Sequence, residues 1–209
     1  MSFTFSTMFP IAIDKTEYEL LEKDHVHLET FQNKNFLLIQ PEALKIITEN
    51  AFYKISHFYR SSHLKLLKKI LEDKEASKND HFVALTMLKN ANISASGVLP
   101  MCQDTGTAII NGYRGKNIVT DFIDEKELSR GIFNSYQNNN LRFSQLAPIS
   151  MFEEKNTNNN LPAEINLYAA EGDEYKFTFI QKGGGSANKS FLYQQTKAIL
   201  NPKDLKKFL

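Results

Sequence analysis

The sequence has a single cysteine, Cys102, among its 209 residues. No disulfide can therefore form within the chain, and this cysteine usage predicts a reducing compartment. No stretch is long and apolar enough to span a membrane. No Lys or Arg precedes Lys15, whereas a secretory or mitochondrial leader would need basic residues there. These absences predict a cytoplasmic location, with a mitochondrial one as the alternative.

An excess of either charge is also missing, since 25 Lys and Arg balance 24 Asp and Glu. No basic excess indicates nucleic acid binding, and no acidic run indicates a solvated tail. The composition, 42% hydrophobic and 23% charged, is typical of a globular chain that buries a sizeable core. We therefore expect neither a nucleic acid nor a membrane as a partner.

The first half of the chain predicts one strand and three helices. The apolar run 36–39 predicts the strand. Pro41 suits a first helical turn, and apolar residues recur at helical spacing from there to Ile55. Further amphipathic helices are predicted around residues 64–71 and 82–88, the second of these with Asn79 or Asp80 as its N-cap. We interpret the three helices as one packed layer.

The second half predicts mostly short strands. Two are expected at residues 108–110 and 118–119, and alternating apolar residues on either side of the turn 171–174 predict a β-hairpin. Asp124 and Glu127 form a capping-box pattern before a helix that ends at 138–140. A helix is predicted at 191–200, and residues 204–209 predict the opening turns of another. The predicted fold class is α+β, with helices from about 41 to 92 packed against a mixed, short-stranded sheet from 108 to 181.

Residues 100–106 (Pro-Met-Cys-Gln-Asp-Thr-Gly) form the first candidate site. A cysteine in a loop can present a thiolate to a soft metal or an iron–sulfur cluster. Gln103 offers donors and an acceptor, and Asp104 can move a proton. On spacing alone we favour a structural interpretation, a buried free Cys102 with Asp104 bonded to its own turn.

Residues 183–189 (Gly-Gly-Gly-Ser-Ala-Asn-Lys) form the second candidate, between a predicted strand and a predicted helix. Backbone N–H groups at such a position attract a carboxylate or phosphate, and three adjacent glycines cost conformational entropy, so we favour a binding role over a flexible turn. The loop misses the P-loop pattern only where Asn188 replaces the second glycine, which leaves a nucleotide-binding module as an alternative. Arg142 can hold a carboxylate through two hydrogen bonds, although a single arginine is more often a solvated surface residue.

Several segments resemble class I (iron–sulfur) fumarate hydratases, in the same order along the chain. They cover nearly the whole sequence and are residues 41–44, 75–80, 88–93, 98–109, 139–145, 147–148, 160–162, 171–177, 182–189 and 192–198. Segment 98–109 is similar to the first cluster-binding segment of that family. Several long motifs in a fixed order make the resemblance highly specific.

The resemblance implies a reversible addition of water to fumarate, giving L-malate. It also implies a 4Fe–4S cluster held by three cysteines, whose open iron acts as a Lewis acid on the substrate. Cys102 corresponds to the first cluster cysteine and metal ligand. The positions implied to contact the dicarboxylate are Gln103, Asp104, Arg142 and Gly185. Asp104 also has an implied catalytic part in moving the proton.

The family's other two cluster cysteines and its catalytic base have no counterpart in residues 1–209. The resemblance therefore implies one amino-terminal domain over 1–209 that is incomplete at its C-terminal end. Its expected partners are the missing C-terminal part, a second copy in a homodimer, and the dicarboxylate. We expect the 209-residue chain alone to be inactive. Alternatives are a tartrate dehydratase-like subunit and a non-catalytic remnant.

Overall fold

The computed structural model describes residues 2–5, 17–185 and 189–209, and it combines α-helices with three small sheets. Strands β1 (Val26–Phe31) and β2 (Lys34–Ile39) form an antiparallel hairpin. The helix α1 (Pro41–His57) follows directly, with its proline in the first turn. The predicted strand at 36–39 and the predicted helix start at Pro41 are both confirmed.

The helices α2 (Ser61–Glu72) and α3 (Lys78–Ser94) pack against each other, whereas α1 packs mainly on α4 (Asp124–Asn138). The prediction of one three-helix layer is therefore wrong, because the apolar face of α1 covers elements from the second half of the chain. The predicted cap of α3 is also wrong. Ser77 is the N-cap, and Asp80 is its capping-box partner three residues later.

The main sheet has the strand order β7-β3-β8, formed by β3 (Thr107–Gly115), β7 (Glu164–Ala170) and β8 (Tyr175–Lys182). β3 runs parallel to β7 and antiparallel to β8. The predicted hairpin of β7 and β8 is therefore wrong, since β3 lies between them. Alternation of apolar residues identifies a strand and its buried face but does not identify its partners.

Two smaller sheets complete the architecture. The short strand β4 (Ile118–Val119) joins the first sheet in parallel to β2, and β5 (Leu146–Pro148) pairs with β6 (Glu154–Asn156). The strand predicted at 118–119 is confirmed, and the one predicted at 108–110 extends over the nine residues of β3. β3 and β4 belong to different sheets.

The core lies between the α1–α4 pair and the main sheet. Its most deeply buried apolar side chains include Phe52, Ile110, Leu128 and Ile132. The Phe52 ring meets Phe179 of β8 edge to face at 5.8 Å, which fixes α1 on the sheet. Gly131 lets the two helices approach closely, because a Cβ there would lie 2.6 Å from the Lys45 carbonyl oxygen.

The predicted capping box at Asp124 and Glu127 is wrong. The N-cap of α4 is Ile123, which offers no side-chain oxygen. The Asp124 carboxylate instead accepts hydrogen bonds from Arg114 Nε at 3.1 Å and from the Tyr175 hydroxyl at 2.9 Å. These partners lie on β3 and β8, so the carboxylate ties α4 to the sheet.

The helix predicted at 191–200 is also wrong. The structure has a short 3-10 helix at Lys197–Ile199, followed by α5 (Pro202–Phe208). Phe191 and Leu192 are 78% and 98% exposed, so an α-helix there would have no apolar surface to pack on, and short helices need such packing. Among the residues that the structure describes, no helix combines the length and hydrophobicity that a membrane span requires.

Candidate active site

The segment that leads to Cys102 is fixed by the ends of two helices. The Met101 N–H donates to the Ser56 carbonyl of α1 at 2.8 Å, and Asn90 Nδ2 of α3 donates to the Met101 carbonyl at 2.7 Å. Cys102 itself is exposed. The structural interpretation of a buried cysteine is therefore wrong, and the thiol is held at the surface by a fixed backbone.

The Cys102 loop and the glycine-rich loop are in direct contact. Gly106 adopts φ +58°, and a Cβ at this position would lie 1.8 Å from the Lys182 carbonyl oxygen, so only glycine fits there. Asp104 Oδ2 accepts a hydrogen bond from the Gly184 N–H at 2.7 Å. The glycine loop therefore binds a carboxylate in this structure, namely that of Asp104.

No α-helix directly follows the glycine loop in the described part of the chain, where Lys189 lies in a 3-10 turn and the next α-helix begins at Pro202. Residues 186–188, including Asn188 of the near P-loop pattern, lie outside the described part of the chain. A P-loop needs a strand, a loop and a helix in succession. Since residues 191–196 are extended or irregular, the described structure does not favour a nucleotide-binding module.

Both loops line a cleft of about 810 Å³. One wall contains Cys102, Asp104, Gly183 and Gly185. The end of the α1–α2 connection and the start of α2 add Tyr59, Arg60, Ser62 and His63 to the lining. Three of the five predicted site residues (Cys102, Asp104 and Gly185) thus share one cleft.

The other two predicted site residues, Gln103 and Arg142, are exposed and do not contribute to the lining of this cleft. Gln103 lies between two lining residues in the chain. Arg142 is connected through its backbone, because its carbonyl accepts a hydrogen bond from the Thr105 hydroxyl at 2.6 Å. The Arg142 segment therefore abuts the Cys102 loop.

A buried asparagine joins these two segments. Asn160 is fully buried; its Oδ1 accepts hydrogen bonds from the N–H groups of Ser144 at 2.9 Å and Gln145 at 3.0 Å. Its Nδ2 donates to the Gly106 carbonyl at 2.9 Å. One side chain thus sets the distance between the loop of Asp104 and the segment that follows Arg142.

The buried side chain of Tyr136 fixes the Cys102 loop through hydrogen bonds to its backbone. Its hydroxyl donates to the Thr105 carbonyl at 2.8 Å, with the Gly106 carbonyl at 3.1 Å, and accepts from Gln181 Nε2 at 3.1 Å. Burial raises the pKa of Tyr136, so the hydroxyl stays protonated and remains a donor. The sequence alone assigned no role at the site to Tyr136 or to Asn160.

The residues present do not make a complete iron–sulfur site. Among the described residues, no group of three or more His, Cys, Asp or Glu side chains is placed to hold a metal ion. A cubane cluster bound through three cysteines needs three thiolates, and the whole sequence holds one. The accessible Cys102 thiol fits a single ligand position and no more.

Comparison with known proteins shows the family. The family model described as fumarate hydratase (Fumerase) matches residues 46–209. The anaerobic and aerobic class I fumarate hydratases of Escherichia coli (strain K12) are each 51% identical over 207 residues, which is 99% of this chain. Mitochondrial fumarate hydratase 1 of Leishmania major is 54% identical over 197 residues, which is 93% of it.

The same alignments cover only part of the relatives. The chain spans 38% of the length of the two Escherichia coli proteins and 36% of the Leishmania major protein. The matches nevertheless extend over both loops of the cleft and over the helices that hold them. The chain belongs to the fumarate hydratase (Fumerase) family, among its class I members.

Proposed function

We propose that this chain forms one part of the active site of a fumarate hydratase, which adds water reversibly to fumarate to give L-malate. One observation carries the proposal: the exposed Cys102, Asp104 and the glycine loop line one cleft. Buried side chains fix the backbone of the Cys102 loop through hydrogen bonds. Relatives named as fumarate hydratases supply the reaction.

Cys102 has the role of a cluster ligand in this proposal. A 4Fe–4S cluster would supply a Lewis acid for the substrate, but this chain provides only one of the thiolates that such a cluster needs. The other ligands must therefore come from residues outside these 209. The amino-terminal domain assignment for 1–209 and the requirement for a further part of the enzyme belong to the same proposal.

Asp104 is the group proposed to move the proton. A carboxylate serves as a general base or acid when it lies within hydrogen-bond reach of the reacting atom. The Gly184 N–H holds Oδ2 at 2.7 Å, which orients the carboxylate. The network of Asn160 and Tyr136 limits the movement of the loop on which Asp104 lies.

Gly185, Gln103 and Arg142 are proposed as substrate contacts. Gly185 lines the cleft, and a Cβ there would have no described neighbour within 4 Å, which leaves room for a ligand beside its backbone. Gln103 and Arg142 are exposed beside the cleft, and their roles rest on the family resemblance.

The test uses the full natural polypeptide that carries this chain, purified without oxygen, alongside the 209-residue chain. We expect the full polypeptide to hydrate fumarate and to lose both activity and cluster absorbance in Cys102→Ala. The 209-residue chain should show neither. Exposed Asn158, outside the cleft lining, offers a control, because Asn158→Gly should retain both.

Two results would contradict the proposal. Full activity of Cys102→Ala would remove Cys102 from the ligand set. A preference for tartrate over fumarate would favour the related dehydratase activity instead.

A further inference from the structure

The part of the cleft wall at the start of α2 contains two basic residues, Arg60 and His63. Arg60 immediately precedes α2, and His63 lies in its first turn; both side chains line the cleft. The His63 ring packs on Tyr59 at 5.0 Å between ring centroids, which holds this wall together. The first turn of α2 contains no acidic residue that would neutralise Arg60.

Arg60 differs from the other three arginines of the chain. Arg114 is paired with Asp124, and neither Arg130 nor Arg142 contributes to the cleft lining. None of the ion pairs among the described residues includes Arg60. Of the described arginines, Arg60 is thus the one that lines the cleft and forms no ion pair with a described acidic residue.

The cleft's only described acid, Asp104, already accepts a hydrogen bond from the Gly184 N–H. A dicarboxylate that enters beside Asp104 brings two further negative charges. Burying a carboxylate without a charged partner is costly, whereas an arginine binds it through two parallel hydrogen bonds. The glycine loop and Arg60 both line the cleft that such a ligand would enter.

We propose that Arg60 binds one carboxylate of a dicarboxylate ligand and thereby selects dicarboxylates over monocarboxylates in this cleft, with His63 as a neighbouring hydrogen-bond donor. The inference deepens the proposed function and rests on it for the class of substrate. Arg60 acts through direct contact with the ligand, and it has no part in the proton transfer assigned to Asp104.

The test measures binding rather than turnover. Succinate and butyrate have the same carbon chain length and differ by one carboxylate, and neither can be hydrated. Their dissociation constants are measured by calorimetry on the full natural polypeptide. Arg60→Gln should weaken succinate binding by about 10-fold or more, as expected for a lost charged hydrogen bond, and should leave butyrate binding unchanged.

Two further variants act as controls. Arg130→Gln changes an exposed arginine of α4 outside the cleft and should alter neither constant. Arg60→Lys keeps the charge but loses the planar fork, so it should recover part of the succinate affinity. A variant that merely perturbs the fold would weaken both ligands together.

Equal weakening of succinate and butyrate, or no change in succinate binding by Arg60→Gln, would overturn the inference. So would a wild-type protein that does not prefer succinate. Fumarate hydration by the wild-type protein is assayed separately. Arg60-dependent succinate selectivity without hydration would support the inference and contradict the proposed function, so the two failures are distinguishable.

Discussion

Replacing Asn160 with glycine tests whether one buried side chain holds the two loops of the site together. The side chain is fully buried and makes three hydrogen bonds, to the N–H groups of Ser144 and Gln145 and to the Gly106 carbonyl. Asn160 has φ +56°, a left-handed conformation that glycine adopts without strain. Asn160→Gly therefore removes the hydrogen bonds without forcing a new backbone conformation.

The expected loss of stability in Asn160→Gly follows from the backbone groups that lose a hydrogen-bond partner. The Gly106 carbonyl keeps only the longer contact with the Tyr136 hydroxyl, whose one proton it shares with the Thr105 carbonyl, so it is partly unpaired. The N–H groups of Ser144 and Gln145 lose their acceptor, and each unsatisfied buried group costs about 1–3 kcal/mol. The free energy of unfolding should therefore fall by about 2–6 kcal/mol, a large part of the ~5–15 kcal/mol of a typical domain.

Asn158→Gly is the matched control. Asn158 lies two residues earlier, has φ +59° and is exposed. Both substitutions add the same conformational freedom to the unfolded chain, so that contribution cancels in the comparison. Urea unfolding followed by circular dichroism gives the difference between the variants. Equal midpoints for the two variants would refute the reasoning, because the buried hydrogen bonds would then contribute nothing specific.

Two further substitutions test the contacts around the site. Gly106→Ala adds a Cβ that would lie 1.8 Å from the Lys182 carbonyl oxygen, and it should cost about 2–5 kcal/mol in thermal or urea unfolding, whereas Gly172→Ala, with φ +90° but open space, should cost only about 1–2 kcal/mol. Equal costs would show that the contact between the two loops is not tight. Burial, reinforced by the Asp124 charge, raises the pKa of Tyr175 above its ordinary value of 10.0, so the unfolded chain loses this proton first and stability should fall as pH rises above about 10. Tyr175→Phe should flatten that fall in urea titrations between neutral and alkaline pH, and an unchanged slope would contradict the assignment.

Local signals explain which parts of the fold the sequence predicts. Pro41 starts α1 because its fixed φ suits a first turn, and the apolar run at 36–39 becomes β2 because it covers the core on one side. The long-range arrangement was not predicted. Nothing local indicates that β3 inserts between β7 and β8, or that α1 packs on α4, since these contacts join residues far apart in the sequence.

The candidate site also has a part that the sequence predicts and a part that it does not. The composition of the Cys102 loop and the glycine loop identifies both as candidate binding segments, and the structure brings them together at Gly106. Asn160 and Tyr136 were not recognised as parts of the site, because a buried polar side chain acquires its role only from the carbonyl and N–H groups that folding places around it. The one local signal in the sequence is that Asn160 ends an asparagine run typical of turns, just before Leu161-Pro162, and the structure gives it a positive φ.

The hydrogen bond between Asp104 and Gly184 affects both the proposed proton transfer and the binding of a dicarboxylate. An N–H group that already donates to Asp104 cannot donate at full strength to a second carboxylate, so the glycine loop gives a dicarboxylate less support than its composition suggests. The Asp104 charge in the same cleft further opposes an anionic ligand. A cationic side chain in the same cleft offsets both effects, and Arg60 lines that cleft. In the proposed arrangement the Gly184 N–H orients Asp104 for proton transfer while Arg60 binds the ligand, so the two tasks belong to different residues of one cleft.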